Sequence, residues 1–260
     1  GWLPMPVISI RNGAGPRVLL MSGNHGDEYE GQITLTKLAR TLQPESIRGH
    51  LLILPMANYP AAHAGRRTSP IDGGNLNRSF PGDPNGTITE KIAHLIEEEL
   101  LGYFELLIDL HSGGSSLLYL PSTQVLLNKN GSIDSREREL VDAYGAPFNH
   151  IIHSYEDTDS GAASRRKGTL FLASEFGGAG TVTPEALRLC ENGLFRTLTS
   201  FGSLLLQTPD FDKPRLTRYL EIKNDKYYDH TSEDELYEPL VELTVEVKSG
   251  DFAGIIHFPN

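Results

Sequence analysis

The chain has 260 residues, of which 38% are hydrophobic and 22% charged, a composition typical of a globular protein rather than a disordered or fibrous one. Acidic residues outnumber basic residues by 34 to 23, a formal net charge of −11 that argues against nucleic acid or an anionic membrane as a partner. The single cysteine, Cys190, excludes an intramolecular disulfide, and no apolar run is long enough to span a membrane. Since the first residues also lack a signal-peptide pattern, we expect a cytoplasmic protein.

Apolar runs alternate with segments of helical periodicity over roughly the first 205 residues. Strands are predicted at residues 6–10, 17–21, 50–55, 105–110, 116–120, 149–153 and 169–174. Helices are predicted at residues 30–42, 87–101, 135–144 and 183–201. The last of these begins with Thr183 as N-cap and Pro184 in the first turn. This alternation predicts an α/β fold, with a mostly parallel twisted sheet and helices on both faces.

The pattern changes near residue 205. Residues 207–214 contain two prolines and three acidic residues and resemble a linker. Beyond them, short β-like runs at 217–222, 240–247 and 252–258 are separated by turns. We therefore predict an α/β domain at residues 1–206 and a small all-β domain at residues 207–260.

Two histidines and a glutamate follow predicted strands. His25 and Glu28 come after the apolar run 18–21, and His111 ends the run 106–111. The carboxyl ends of parallel strands form the ligand-binding edge of an open α/β sheet, so we expect the three side chains to meet. Two imidazoles and one carboxylate suit a catalytic zinc ion, which leaves its fourth position to water or substrate. A structural metal would need a fourth protein ligand, and none is obvious in the sequence.

The other seven histidines have no such arrangement, and we expect them to be ordinary hydrogen-bonded residues. A second chemical candidate is Glu175, which closes the predicted strand 169–174 and precedes a glycine-rich turn. A carboxylate at that position could take a proton from water and pass it to a leaving amine. A surface or helix-capping glutamate is the alternative.

The segment at residues 58–86 has little periodicity and many Gly, Pro, Asn and Ser residues. Loops of this length in compact domains are often functional. Arg78 with the adjacent Asn77 could bind a carboxylate, although a turn with a solvated arginine is equally compatible. Arg66 or Arg67 could stabilise the oxyanion formed when water adds to a carbonyl, and Arg67 is our choice.

Four motifs together resemble the succinylglutamate desuccinylase/aspartoacylase family, relatives of the zinc carboxypeptidases. They are Gly-Asn-His-Gly-Asp-Glu at 23–28, Asn-Leu-Asn-Arg at 75–78, Asp-Leu-His at 109–111 and Ser-Glu-Phe-Gly-Gly at 174–178. The resemblance implies a carboxypeptidase-like catalytic domain at residues 1–206 and a β domain at residues 207–260 that covers its cleft. It implies one Zn²⁺ per chain, held by His25, Glu28 and His111. It also implies that Glu175 is the general base and that Asn77 and Arg78 bind the substrate's carboxylate. Residues 67–82 look most like the branch of N-acetyl-diaminobutyrate deacetylases.

The sequence therefore predicts a zinc amidohydrolase that removes a short acyl group from a small N-acylated amino acid. Assembly into a homo-oligomer stays open. One rival is a zinc carboxypeptidase that acts on peptide C-termini. Another is a catalytically inactive binding protein with the same fold.

Overall fold

The computed structural model describes residues 2–128, 130–153, 157–205, 216–223, 227 and 236–258. It divides into two compact units, Gly1–Glu221 and Ile222–Asn260. The predicted linker 207–214 and the predicted domain boundary at 206/207 lie outside the described residues. Residues 218–221, which the sequence analysis assigned to the small domain, form a strand of the sheet in the first unit.

The first unit contains eight strands and six α-helices among its described residues. The strands are β1 (Ile8–Asn12), β2 (Arg17–Ser22), β3 (Gly49–Leu54), β4 (Leu106–His111), β5 (Leu118–Leu126), β6 (Phe148–Ile152), β7 (Leu170–Gly178) and β8 (Arg218–Glu221). The helices are α1 (Tyr29–Thr41), α2 (Tyr59–Ala64), α3 (Ile88–His94), α4 (Ser135–Tyr144), α5 (Ser160–Lys167) and α6 (Pro184–Ser200).

The eight strands form one mixed sheet in the order β1-β3-β2-β4-β7-β5-β6-β8. Strands β3, β2, β4 and β7 run parallel to one another. Strand β1 pairs antiparallel with β3, and β5 pairs antiparallel with β7. Parallel pairing resumes from β5 through β6 to β8. The predicted α/β class with a mostly parallel sheet is confirmed.

The continuous apolar runs of the central strands are explained by cores on both faces of the sheet. In β2, Val18 and Leu20 pack into one core, whereas Leu19 and Met21 pack into the other. Successive side chains of a strand point to opposite faces, so a strand between two helical layers has no polar face to present. None of the helices in the described residues combines the length and apolar content that crossing a membrane requires.

Several elements differ from the sequence-based prediction. The short helices α2 and α5 were not predicted, because neither carries an apolar stripe. The segment predicted as one helix at 87–101 is α-helical to His94 and continues as a π-helical turn, Leu95–Leu100. Strand β5 extends to Leu126, well beyond the predicted end at residue 120.

The second unit contains an antiparallel pair among its described residues, β9 (Leu236–Pro239) and β10 (Gly254–His257). In its register, Tyr237 lies opposite Ile256. This pair gives the chain the small C-terminal β-structure that the sequence predicts.

Candidate active site

The turn between β2 and α1 carries two of the three predicted metal ligands. Strand β2 ends at Ser22 and α1 begins at Tyr29, so His25 and Glu28 lie between them. His111 is the last residue of β4. Because β2 and β4 are parallel neighbours with Ser22 opposite Leu110, their carboxyl ends bring the three residues to the same edge of the sheet.

Two glycines allow this turn to form where it does. Gly23 has a φ of +66°, a left-handed conformation that other residues adopt only under strain. A Cβ atom on Gly26 would lie 2.0 Å from the backbone carbon of Ala61. The backbone N–H of Gly26 donates to the carbonyl oxygen of Arg66 at 2.9 Å. The close approach of α2 thus holds the turn against the loop that carries the arginines.

His25, Glu28 and His111 form a buried cluster with converging donor atoms. His25 Nδ1 lies 2.7 Å from Glu28 Oε1, and His111 Nδ1 lies 2.8 Å from Glu28 Oε2. One donor atom from each residue lies within 4.8 Å of the others, and in the described part of the chain this group has three members. The cluster can therefore bind a metal ion while leaving a coordination position for another ligand.

The opposite nitrogen of each imidazole faces an oxygen acceptor. His25 Nε2 lies 3.1 Å from Asn75 Oδ1, and His111 Nε2 lies 3.0 Å from Asp109 Oδ2. A proton on Nε2 that is donated to such an acceptor leaves the Nδ1 lone pair directed into the cluster. Metal-ligating histidines in proteins use this arrangement to fix their tautomer and ring orientation. The donor set and its surroundings therefore fit a metal ion.

Asp109 is itself held by two further donors. Asn24 Nδ2 donates to Asp109 Oδ2 at 3.1 Å, and Ser160 Oγ donates to the same oxygen at 2.7 Å. The side chain of Asp109 is fully buried. Its position is thus fixed by the β2–α1 turn and by the first turn of α5, which in turn fixes the ring of His111.

The electrostatics of the cluster favour a cation. Burial opposes ionisation of Glu28, yet the imidazoles of His111 and His25 lower the pKa of its carboxyl to about 2. Burial also disfavours the charged form of His111, but Asp109 and Glu28 outweigh this and raise the pKa of its imidazole well above the usual value. Glu28 and Asp109 stabilise positive charge at this position, and a metal ion can supply that charge in place of a proton on His111.

Glu175 lies beside this cluster on the neighbouring strand. In the parallel pairing of β4 with β7, Glu175 is opposite His111. Gln124 Nε2 donates to Glu175 Oε1 at 3.5 Å, whereas Glu175 Oε2 is buried without a hydrogen-bond partner among the described residues. Burial raises the pKa of the Glu175 carboxyl well above its usual value; nearby His111 opposes this and the charge of Glu28 adds to it.

The loop at residues 65–79 places the remaining predicted residues. Arg67 Nη1 donates to Glu28 Oε1 at 3.4 Å. In Arg66 it is the backbone carbonyl that contacts the β2–α1 turn, where it accepts the hydrogen bond from Gly26 N. Ser160 N donates to Asn77 Oδ1 at 2.9 Å, and Arg78 Nη1 donates to the carbonyl of Asn77 at 2.7 Å. All seven predicted site residues line one cavity of about 240 Å³.

The sequence analysis gave no role to several residues of this site. Asn75 and Asp109 lie within recognised motifs, each two residues before a predicted site residue, and that spacing is the one signal that could have drawn attention to them. Gln124, Asp159 and Ser160 come from segments whose structure was not predicted. They reach the site through strand pairing and helix placement, which leave no local pattern in the sequence.

Comparisons with known proteins agree with this fold and identify the family. The sequence model of the family described as succinylglutamate desuccinylase/aspartoacylase catalytic domain matches residues 14–201 of this chain. The chain is 41% identical to the N-alpha-acetyl-L-2,4-diaminobutyric acid deacetylase of Halomonas elongata over 251 residues, 94% of this chain and 70% of that protein.

Two solved structures have a similar fold. The product-bound structure of the ectoine utilization protein EutE (DoeB) from Ruegeria pomeroyi matches with a TM-score of 0.90 and 35% identity, covering 97% of this chain and 76% of that one. A succinylglutamate desuccinylase/aspartoacylase from Rhodobacter sphaeroides matches with a TM-score of 0.88 and 34% identity, covering 98% and 77%. The predicted family and the predicted deacylase class of enzyme are confirmed. The chain thus belongs to the succinylglutamate desuccinylase/aspartoacylase family.

Proposed function

We propose that this chain is a zinc-dependent deacylase that hydrolyses the amide bond of a small N-acylated amino acid, with Nα-acetyl-2,4-diaminobutyrate or a close analogue as substrate. The observation that carries the proposal is the shared cavity. Its wall contains the metal-binding cluster, the carboxylate of Glu175, two arginines and the amide of Asn77. The name of the Halomonas elongata relative supports the choice of acyl group and amino acid.

His25, Glu28 and His111 would hold the zinc ion, since two imidazoles and one carboxylate are a ligand set of catalytic zinc. When bound, zinc lowers the pKa of a water molecule and polarises a carbonyl group. The residues around the ligands orient them for metal binding. Asn75 and Asp109 keep both Nδ1 atoms directed at one point, so the site requires little rearrangement to bind its ion.

Glu175 transfers the proton. Its carboxylate lines the cavity beside His111, and its Oε2 atom is available to accept a proton from the attacking water. The same oxygen then donates that proton to the leaving amine. General acid–base catalysis is most efficient when the pKa of the group lies near the working pH, and the raised pKa of Glu175 moves it in that direction.

Arginines and an amide position the substrate. Arg78, with Asn77 beside it, offers a planar pair of donors to the carboxylate of the amino acid. Arg67 extends its guanidinium to within 3.4 Å of Glu28 Oε1, next to the metal cluster. There it stabilises the negative charge that develops on the carbonyl oxygen as water adds.

The size of the cavity favours a small amide over a peptide. Its volume of about 240 Å³ lies below the range of roughly 300–1,000 Å³ that is typical of pockets for drug-sized ligands. A carboxypeptidase needs room for several residues of peptide. The cavity can accommodate an amino acid with a short acyl group.

Substitution of the proposed base tests the mechanism. We expect Glu175→Gln to bind one zinc per chain, measured by elemental analysis, and to lose about 100- to 10,000-fold in kcat on Nα-acetyl-2,4-diaminobutyrate. The matched control is Glu185→Gln, an exposed glutamate in the first turn of α6, which should keep full activity.

Other outcomes would contradict the proposal. Full activity of Glu175→Gln would remove the proposed base. Faster cleavage of peptide C-termini than of N-acyl amino acids would identify a carboxypeptidase. Zinc binding without turnover of any amide by the wild type would identify a binding protein.

A further inference from the structure

Apolar side chains line the cavity on both sides of Glu175, and the mechanism proposed above gives none of them a role. In β7, Ala173 lies two residues before Glu175 and Gly177 lies two residues after it. The antiparallel strand β5 passes both positions, with Gln124 opposite Ala173 and Tyr119 opposite Gly177. The cavity wall therefore has one part before Glu175 and another part beyond it.

The substrate's carboxylate belongs to the part before Glu175. A Cβ atom on Gly161 would lie 2.9 Å from Phe171 Cε1, so the first turn of α5 packs against this ring, which precedes Glu175 in β7 and lines the cavity. Ser160, in the same turn, donates its backbone N–H to Asn77 Oδ1 at 2.9 Å. The proposed carboxylate-binding pair is therefore held on the Phe171 side of Glu175.

The acyl group of the substrate must then extend to the other side. Glu175 takes a proton from the water that attacks the carbonyl carbon and gives it to the nitrogen, so the scissile bond lies beside its carboxylate. The amino-acid part leads from the nitrogen towards Asn77, and the acyl chain leads from the carbonyl carbon in the opposite direction. The apolar side chains that line the cavity there are those of Leu117 and Tyr119.

The backbone of Leu117 is fixed by hydrogen bonds and close packing. Its N–H donates to the carbonyl oxygen of Gly113 at 3.0 Å, and its own carbonyl oxygen accepts from Ala179 N at 2.8 Å. A Cβ atom on Gly113 or on Gly178 would lie 2.1 Å from the carbonyl oxygen of Leu117. The two glycines thus allow a close approach that leaves the backbone little room to shift.

The loop that carries Leu117 is also bonded to the turn of the metal cluster. Ser115 donates its N–H at 3.0 Å and its hydroxyl at 2.7 Å to Oδ2 of the buried Asp27. Ser112 N donates to Glu28 Oε2 at 3.1 Å. Since the loop is held at several points, a shorter side chain at Leu117 should leave space instead of letting the wall collapse inwards.

We propose that Leu117 limits the length of the acyl group and makes the site selective for N-acyl amino acids with a short acyl chain, such as acetyl. This inference rests on the deacylase function proposed above. The side chain of Leu117 is 49% exposed and lines the cavity, which places it at the cavity mouth. An acyl chain longer than acetyl has to pass it.

The test varies the acyl group while the amino acid stays the same. The substrates are the Nα-acetyl, Nα-propionyl and Nα-butyryl derivatives of 2,4-diaminobutyrate. We expect Leu117→Ala to raise the ratio of kcat/KM for the butyryl over the acetyl substrate by about 5- to 20-fold, because each methylene group that gains an apolar site contributes a factor of about 4. The propionyl substrate should show an intermediate increase.

Two further variants make the result specific. Leu118→Ala is the matched control, because Leu118 is also exposed, by 58%. It precedes Tyr119 in β5, and successive side chains of a strand point to opposite faces of the sheet, so this variant should leave the ratio unchanged. Leu117→Phe enlarges the side chain and should lower the ratio.

The possible results separate the two proposals. An unchanged or lower butyryl-to-acetyl ratio in Leu117→Ala would overturn the role of Leu117. A changed preference between Nα-acetyl-2,4-diaminobutyrate and Nα-acetylnorvaline, which differ only in the amino acid, would also overturn it, because it would place Leu117 beside the amino-acid part. If the wild type hydrolyses none of these substrates, the deacylase function itself is wrong.

Discussion

Glu137 provides a stability prediction that does not depend on the active site. It lies in the first turn of α4, and its Oε1 atom accepts a hydrogen bond from the N–H of Phe171 at 3.1 Å, at the start of β7. Its side chain is buried, with 8% exposed. Burial, with a smaller contribution from the charge of Asp134, raises the pKa of Glu137 to about 7, although the hydrogen bond from Phe171 N and the charge of Arg165 partly oppose this.

The direction of the pH effect follows from proton linkage. The folded protein binds the Glu137 proton more tightly than the unfolded chain does, because the pKa is about 7 in the folded state and 4.5 as the ordinary value. The contribution of Glu137 to the free energy of unfolding is therefore greatest below pH 4.5 and decreases as the pH rises through about 7. A pKa difference of this size corresponds to about 3 kcal/mol.

Replacement of Glu137 by glutamine should remove this pH dependence. Glutamine keeps an oxygen for Phe171 N but carries no charge at any pH. We expect the free energy of unfolding of Glu137→Gln, relative to the wild type, to increase by about 2–3 kcal/mol between about pH 5 and about pH 8. Urea denaturation at a series of pH values measures it, and titrations in the metal cluster cancel because both proteins share them.

The control is Glu139→Gln, two residues further along the same helix but with an exposed side chain. Its unfolding free energy should follow that of the wild type at every pH. Parallel curves for Glu137→Gln and the wild type would refute the reasoning, since they would show that Glu137 has the same proton affinity in the folded and unfolded states.

Two further predictions concern the loop at residues 65–79. Asn75→Ala removes the acceptor for His25 Nε2 and should weaken metal affinity by about 10- to 100-fold, measured in a chelator competition assay. The control Asn85→Ala, in an exposed turn, should leave metal affinity unchanged. Equal affinities of the two variants would show that Asn75 does not orient His25. Asp72 accepts bonds from Thr89 N at 2.7 Å and Thr89 Oγ1 at 2.8 Å. Although burial opposes ionisation, these bonds, together with those from Ser69 and Gly74, lower the pKa of Asp72 to about 2. Asp72→Ala should therefore cost about 1–3 kcal/mol of unfolding free energy near neutral pH. The cost should shrink as the pH falls from 3.8 towards 2, and a cost that is independent of pH would contradict this account.

The sequence predicts the sheet well, because burial on both faces requires continuous apolar runs. The predicted strands at 17–21, 50–55 and 105–110 correspond to β2, β3 and β4. The position of the His25–Glu28–His111 cluster follows from the same pattern, since these residues lie at the end of a buried strand or shortly after one. Local sequence is sufficient here because buried apolar runs mark the strands, and the ends of those runs mark where the three residues lie.

Helix α5 shows where this reasoning fails. Its sequence, Ser-Gly-Ala-Ala-Ser-Arg-Arg-Lys, has no apolar stripe, because its buried face must fit closely against other parts of the fold. Small residues make that contact. A Cβ atom on Gly161 would lie only 2.6 Å from Leu126 Cδ1 and 2.9 Å from Phe171 Cε1, so a larger side chain would not fit there. Helical periodicity depends on large apolar side chains, so a helix that packs through small ones gives no signal, and the sequence-based prediction missed Asp159 and Ser160 along with it.

The predicted ligands of the site had a local signal in the sequence, whereas the residues that orient them had none. A ligand can be recognised by its chemistry and its place after a strand. The partner of His25 is Asn75, 50 residues away, and the hydroxyl that holds Asp109 belongs to Ser160, 51 residues away. The first bond joins the β2–α1 turn to the loop at 65–79, and the second joins β4 to α5. The turn, the loop and α5 have little hydrophobic pattern. Hydrogen bonds between these segments orient the side chains around the His25–Glu28–His111 cluster, so we expect the loss of one such bond to perturb the proposed metal site more than the fold.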